Sequence, residues 1–513
     1  MKQQIPFIEI MDTTLRDGEQ TSGVTFLPYE KLAIARMLLR EVNVDRIEVA
    51  SARTSEGDRK AVSLITDYAR SVGMLERVEV LGFVDKNLSV DWIRSCGGKV
   101  INLLAKGSER HCEEQLGKTV EMHLADIEEV VDYANECGIS VNIYLEDWSN
   151  GMKYSPSYVF TLMDTLSKLN VKRIMLSDTL GIMQPLQCIE YMRKMMKRYP
   201  NVCFDFHAHN DYDLAVSNSL AAVLCGVKGL HVTVNGLGER CGNAPLSSVQ
   251  AILNDQFHAR TNIDESHLFD ISRLVEGYSG IPVAPNMPVV GGNVFTQVAG
   301  IHADGDYKGG LYANLLTPER FGRRREYALG KNSGKASVEM NLEELGLVLS
   351  EEQTQRVTQR IVELGEKKEL VTQDDLPFIV SDVVKHHVPQ DKVRLIDYVI
   401  TNSLETKPLA AIKVEIEGKI YRAESTGDGQ YDAFVKAMRK IFREKLNKTF
   451  PLLHNYTVSI PPGGKTDALV QTDITWAAKR GPLKTRGLDA DQTSSAIKAT
   501  MKMLNMVEFS DIE

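Results

Sequence analysis

Eight short runs rich in β-branched and apolar residues recur along the first half of the chain, at 7–11, 46–50, 78–84, 100–104, 140–145, 173–176, 203–206 and 229–234. Between them lie stretches whose apolar positions repeat every three to four residues, such as 29–42 and 122–137, the period of a helix with one buried face. Strands this uniformly apolar have no wet face, so they belong in a parallel sheet covered on both sides. Eight strand-helix units within residues 1–275 favour closure into a TIM (β/α)8 barrel over an open doubly wound sheet. The expected fold class is α/β.

The pattern changes near residue 275. Pro282, Pro285, Pro288 and the Gly291-Gly292 pair punctuate a linker, and helical periods follow at 336–345 and 350–367. We assign 276–390 to linker subdomains and 391–513 to a small α+β domain. Inside it two half-units look alike. Strand-like 397–402, 411–417 and 419–424 precede a helical 431–446, and strand-like 455–460 and 468–476 precede a helical 491–504. Such a duplication suggests sheets that pair across a dimer.

Composition narrows the function classes. The net charge is −9, with 60 basic and 69 acidic side chains, so the overall basic excess of a nucleic-acid binder is missing. No run of about 18 apolar residues could cross a bilayer, and residues 1–12 lack a signal peptide's apolar stretch. The expectation is a cytoplasmic protein with no membrane partner. The 7 cysteines include no C-x-x-C pair, which argues against a disulfide framework or zinc cage and for mostly buried small hydrophobes.

Barrel chemistry collects where strands end, and the polar residues cluster there. The first run exits into Arg16 and Asp17, the fifth into Glu146-Asp147, the sixth into Ser177-Asp178-Thr179, and the seventh into His207-Ala208-His209-Asn210-Asp211. His207 and His209 are two apart on an extended chain, so both imidazoles leave one face and can share an ion. By itself the pair is weak evidence and reads more readily as ordinary barrel-mouth histidines. Closure brings Asp17 near, and two imidazoles plus a carboxylate leave positions open for a chelating substrate. Thiolate-free ligands suit Mg, Mn, Co or Zn. Arg16 could offer its guanidinium fork to an acid or sit solvated at the surface. Thr179 could donate to a carboxylate or serve a turn, and Glu146 could act as a base or sit in a structural ion pair.

Leu15-Arg16-Asp17-Gly18-Glu19-Gln20 with Lys31, and His207-x-His209-Asn210-Asp211, resemble both signatures of the isopropylmalate, homocitrate and citramalate synthase family. Gly238-Glu239-Arg240-x-Gly242-Asn243, His302-Ala303-Asp304-Gly305 and Gly330-Lys331-x-Ser333-Gly334-Lys335 also look like family blocks, although Asp213 stands where the second signature carries Gly. The resemblance implies metal-dependent Claisen condensation of acetyl-CoA with a 2-oxo acid. It implies a metal held by Asp17, His207 and His209 with Asn243 nearby, Arg16 stabilising the alkoxide, Thr179 orienting the carboxylate and Glu146 assisting proton removal. It further implies a homodimer in which His302, Asp304 and Tyr312 complete the partner's site, and a regulatory carboxyl-terminal domain that binds an amino-acid effector.

The 2-oxo acid is set by pocket volume. Leu81, Leu104 and Tyr144 near the ends of the third to fifth runs could be plain core. As pocket walls, their bulk leaves room for a methyl but little for an isopropyl group. This wall, with Tyr144–Gly151 and Leu311-Tyr312-Ala313-Asn314, resembles the citramalate synthases, which take pyruvate and would be expected to answer to isoleucine. A 2-isopropylmalate synthase, with leucine as effector, is the alternative. Less favoured are an acyl-CoA lyase using Cys241 and a non-catalytic amino-acid sensor.

Overall fold

A computed structural model describes residues 6–297, 305, 311, 314–345, 347–366, 371, 376, 379–380, 383, 392–459, 470–477 and 483–506. The chain divides into two compact units, 1–297 with 310–326, and 298–309 with 327–513. No helix among the described residues is long and apolar enough to cross a membrane.

The first unit is a closed barrel of eight parallel strands in sequence order: β1 (Glu9–Asp12), β2 (Arg46–Ser51), β3 (Val78–Phe83), β4 (Val100–Lys106), β5 (Ser140–Glu146), β6 (Arg173–Asp178), β7 (Phe204–Ala208) and β8 (Gly229–Val232). Closure is direct, with Glu9 opposite Gly229 and Asp12 opposite Val232. All eight strands expected from the sequence are present. Several run one or two residues further than apolarity alone marked, into Lys106, Glu146, Asp178 and Ala208. In a barrel the ladder continues through polar residues, and by strand parity Lys106, Glu146 and Ser177 among these extensions share the lumen face of Leu104, Tyr144 and Met175.

The outward positions of the strands pack on the surrounding helices in one large core, while the inward positions form layers. At the strand starts Arg46 pairs with Glu79 at 3.2 Å and with Asp205, and Arg173 reaches Asp205 at 3.0 Å and Glu9 at 2.9 Å. Each buried charge here has an opposite partner, which offsets its desolvation. Above them, Met11, Leu81, Tyr144 and Met175, with Leu104 against them, form a separate apolar cluster inside the barrel.

In the second unit, helices Lys335–Glu344 and Glu351–Glu366 bury Val338, Leu342, Val357 and Ile361. Two three-stranded antiparallel sheets follow, Val393–Thr401, Leu409–Ile416 and Lys419–Thr426, then Leu452–Ser459, Val470–Ala477 and Leu483–Asp489. Each sheet is followed by a helix, Gln430–Lys445 or Gln492–Met506, and both half-units share a core that includes Ile412, Phe434, Ile474, Trp476 and Met503. The apolar pattern marks two strands in the second half-unit, at 455–460 and 468–476. The third, Leu483–Asp489, carries Lys484, Arg486 and Gly487 and lacks β-branched apolar residues to announce it. Of the cysteines, Cys96, Cys112 and Cys188 are buried, Cys137, Cys203 and Cys225 half-buried and Cys241 exposed, so burial is less general than their residue type suggested.

Candidate metal and substrate site

The turn after β1 winds tightly: the Thr13 carbonyl accepts from the amides of Arg16, Asp17 and Gly18, and Thr14 Oγ1 accepts from Val234 N at 2.8 Å. This ties the first loop to the eighth and aims Arg16 and Asp17 into the barrel mouth. From the seventh strand, His207 Nε2 lies 3.2 Å and His209 Nε2 3.7 Å from Asp17 Oδ2. One ligand atom from each of the three falls within 4.8 Å of the others, and all three side chains are buried.

Among the described residues neither Asp17 oxygen accepts a hydrogen bond, and Asn243 Oδ1 is likewise buried without one. Unsatisfied buried acceptors beside two imidazoles are costly unless a cation completes them. The donor set therefore fits a divalent ion of the kind that takes nitrogen and oxygen ligands. Burial works against charge on Asp17, yet the Arg16 guanidinium and both histidine rings hold its carboxyl well below the usual carboxylate range. Burial and the neighbouring His207 push His209 down to about 4, keeping its ring neutral and able to ligate.

Glycines shape the eighth loop around this set. Gly238 (φ +157) is the residue where a Cβ would fall 2.3 Å from Asn243 Nδ2, and at Gly242 (φ +81) it would fall 1.9 Å from the Gly236 carbonyl. The departure at Asp213 also has a structural account. Asp213 adopts φ +59, the left-handed conformation that glycine enters without cost and aspartate tolerates better than most residues.

Arg16 is not a solvated surface arginine. Its Nε donates to Glu48, Nη1 stands 3.3 Å from Asp17 Oδ2, and Nη2 donates to the Tyr144 hydroxyl at 3.4 Å. Leu81, Leu104 and Tyr144 lie together in the interior cluster with Met11 and Met175. Thr179 Oγ1 accepts from the Asp147 amide at 2.8 Å, which leaves the hydroxyl proton available to an incoming carboxylate. Asp147 itself sits at φ +61, held by Ser108 and Asn150. Glu146 forms an ion pair with Lys106. His302, Asp304 and Tyr312 lie outside the described residues. Cys241 is exposed in the eighth loop.

Two residues at this site escaped the sequence reading. Glu48 is fully buried on β2 and accepts from Arg16 and from Asn102 Nδ2 at 2.7 Å. His231 on β8 meets the Tyr144 hydroxyl at 3.0 Å. The available signal was a charged or imidazole residue inside an otherwise apolar strand, on the same parity as its lumen-facing neighbours.

Residues 7–275 match the HMGL-like family, 289–369 the homocitrate synthase post-HMGL domain-like family and 370–508 the LeuA allosteric (dimerisation) domain. A protein of Methanopyrus kandleri named putative (R)-citramalate synthase CimA is 35% identical over 470 residues, covering 91% of this chain and 89% of that protein. The (R)-citramalate synthase CimA of Methanocaldococcus jannaschii is 33% identical over 98% of this chain and 99% of its own length. The 2-isopropylmalate synthase of the same organism is 32% identical over 98% of this chain and 94% of its own length.

Proposed function

The chain belongs to the HMGL-like family, among the citramalate and 2-isopropylmalate synthases, and from that premise we propose that it is a citramalate synthase. It transfers the acetyl group of acetyl-CoA to pyruvate, forming the new carbon–carbon bond at the keto carbon; hydrolysis of the thioester then gives citramalate and free CoA.

The observation that carries this reading is the placement of Asp17, His207 and His209 directly beside the apolar cluster through Tyr144, whose ring centroid is 6.0 Å from that of His207. Asp17, His207 and His209, with Asn243 beside them, would hold a divalent ion, which when bound would supply Lewis-acid polarisation of the keto group. The remaining roles belong to side chains. Arg16, fixed by Glu48, supports the developing alkoxide with a charge already in place. Thr179 donates its hydroxyl proton to the substrate carboxylate. Glu146, which is ion-paired with Lys106, takes part in removing a proton from the acetyl methyl carbon. Leu81, Leu104 and Tyr144 close the space beyond the pyruvate methyl. His302, Asp304 and Tyr312 activate acetyl-CoA and assist hydrolysis in the partner's site of a homodimer, a role that rests on the resemblance alone.

The carboxyl-terminal domain binds an amino-acid effector, isoleucine for a pyruvate-specific enzyme. A cavity of about 640 Å³ lined in part by Tyr431, Asp432, Arg439, Tyr456 and Trp476 offers apolar walls and both signs of charge to a zwitterion. The protein works in the cytoplasm, without membrane or nucleic acid. The second reading is a 2-isopropylmalate synthase taking 2-oxoisovalerate, favoured by the near-equal identity to that relative. Release of CoA thiol from acetyl-CoA with pyruvate, 2-oxoisovalerate and 2-oxoglutarate separates the two. The expected order puts pyruvate first, and a clear preference for 2-oxoisovalerate overturns the pyruvate assignment.

A further inference from the structure

The Tyr144 side chain crosses the lumen. It leaves β5, whose neighbours in the sheet are β4 and β6, and its hydroxyl reaches His231 Nδ1 on β8 at 3.0 Å, the two rings meeting edge to face with centroids 5.4 Å apart. The opposite edge of the imidazole faces Asp205, with His231 Nε2 3.3 Å from Oδ2. Asp205 in turn is clasped by Arg46 and, at 3.0 Å, by Arg173 Nη1. Tyr144, His231 and Asp205 are all buried.

The tautomer follows from this chain of partners. A carboxylate between two guanidinium groups is ionised and can only accept. A bare Nε2 facing it would set two lone pairs against each other at 3.3 Å, so the ring proton belongs on Nε2. Nδ1 is then an acceptor, and the Tyr144 hydroxyl donates to it. The other nearby acceptor, Glu48 Oε2, is further at 3.4 Å and already takes Arg16 Nε. With its proton directed to β8, the phenol oxygen presents lone pairs to Arg16 Nη2.

We infer that His231 is a positioning residue: it anchors the free end of Tyr144 through Nδ1, so that the phenol stays as a fixed bar beneath the substrate pocket and as an acceptor for Arg16. This rests on the condensing reading above and deepens it, because the bar sets the depth available to the 2-oxo acid's alkyl group. Tyr144 acts here as wall and acceptor. It is not an acid.

The test is the ratio of kcat/KM for pyruvate to that for 2-oxobutanoate, one methylene longer. His231→Phe keeps a ring but removes the acceptor, and is expected to lower the ratio about tenfold, the worth of one well-placed buried hydrogen bond. His231→Asn offers an amide oxygen near the Nδ1 position and restores most of the preference. In a Tyr144→Phe background, His231→Phe leaves the ratio within about twofold. An equal loss in both backgrounds, or no rescue by Asn, overturns the inference. Should His231→Phe fail to fold, nitrogen NMR of histidine-labelled wild-type protein decides, with the His231 signal assigned by its loss in His231→Asn. A proton on Nε2 upholds the anchor and a proton on Nδ1 overturns it. Wild-type protein that releases no thiol with any 2-oxo acid defeats the condensing reading alone, and the tautomer still decides the anchor.

Discussion

Glu48, on the lumen face of β2, accepts a hydrogen bond from Arg16 Nε, so the guanidinium at the barrel mouth is oriented from below by an acid with no exposure to solvent. Removing that acid leaves a mostly buried cation with Asp17 as its remaining acid neighbour among the described residues. Glu48→Ala is expected to lower stability by about 3 kcal/mol and to cut turnover of the 2-oxo acid by roughly a hundredfold, since one preorganised donor is worth about that. Glu48→Gln, which retains an acceptor, should lose less on both counts. Denaturant unfolding and thiol release measure the two effects, and wild-type turnover in Glu48→Ala would remove Arg16's proposed dependence on this partner.

Thr179 has a double duty that a conservative pair can separate. Its oxygen accepts from the Asp147 amide, and its proton is the one proposed above to serve the substrate carboxylate. Thr179→Val removes both and is expected to raise KM for the 2-oxo acid about tenfold with a smaller change in kcat. Thr179→Ser should stay near wild type. Steady-state kinetics at saturating acetyl-CoA reads this directly.

The interior cluster predicts a change of appetite. Leu81→Ala opens space beside Met11, Leu104 and Met175. Activity with 2-oxobutanoate and 2-oxoisovalerate should rise relative to pyruvate by about tenfold or more, because each accommodated methylene is worth about 1–3 kcal/mol. A proportional loss on all three substrates would place Leu81 in the core and outside the pocket.

A pH dependence follows from His123. Its Nε2 accepts from the Lys106 amide at 3.0 Å, and burial pushes its imidazole from 6.5 down to about 4. The unfolded chain therefore binds this proton first, so the stabilisation is complete above pH about 6.5 and is lost as pH falls toward 4, by up to about 3 kcal/mol. Glutamine places an amide oxygen near Nε2 without titrating. His123→Gln should flatten the thermal midpoint between those pH values, and an unchanged slope would assign the acid sensitivity elsewhere.

The barrel was legible because apolar strands and helical periods alternate eight times, and the meeting of Asp17, His207 and His209 because these residues sit where strands end. What closure alone creates was harder to see. Arg46, Glu48, Asn102 and His231 lie within strands, and their meaning depends on which residues face each other across the lumen, a relation no local pattern carries. The same holds for Arg16, whose burial comes from Glu48 and Tyr144, distant in sequence. Leu483–Asp489 was hidden for a different reason, since its charged positions and its glycine obscure the alternation that marks a half-buried strand.

The proposed condensation depends most on Asp17, His207 and His209 holding a cation that engages the 2-oxo acid. Titrating metal-free protein with Mn(II), followed by electron paramagnetic resonance with and without pyruvate, tests this in one measurement. Expected are one ion per chain, binding abolished by Asp17→Ala, and affinity increased by pyruvate. Protein that binds no ion, or binds it regardless of Asp17 and pyruvate, contradicts the account.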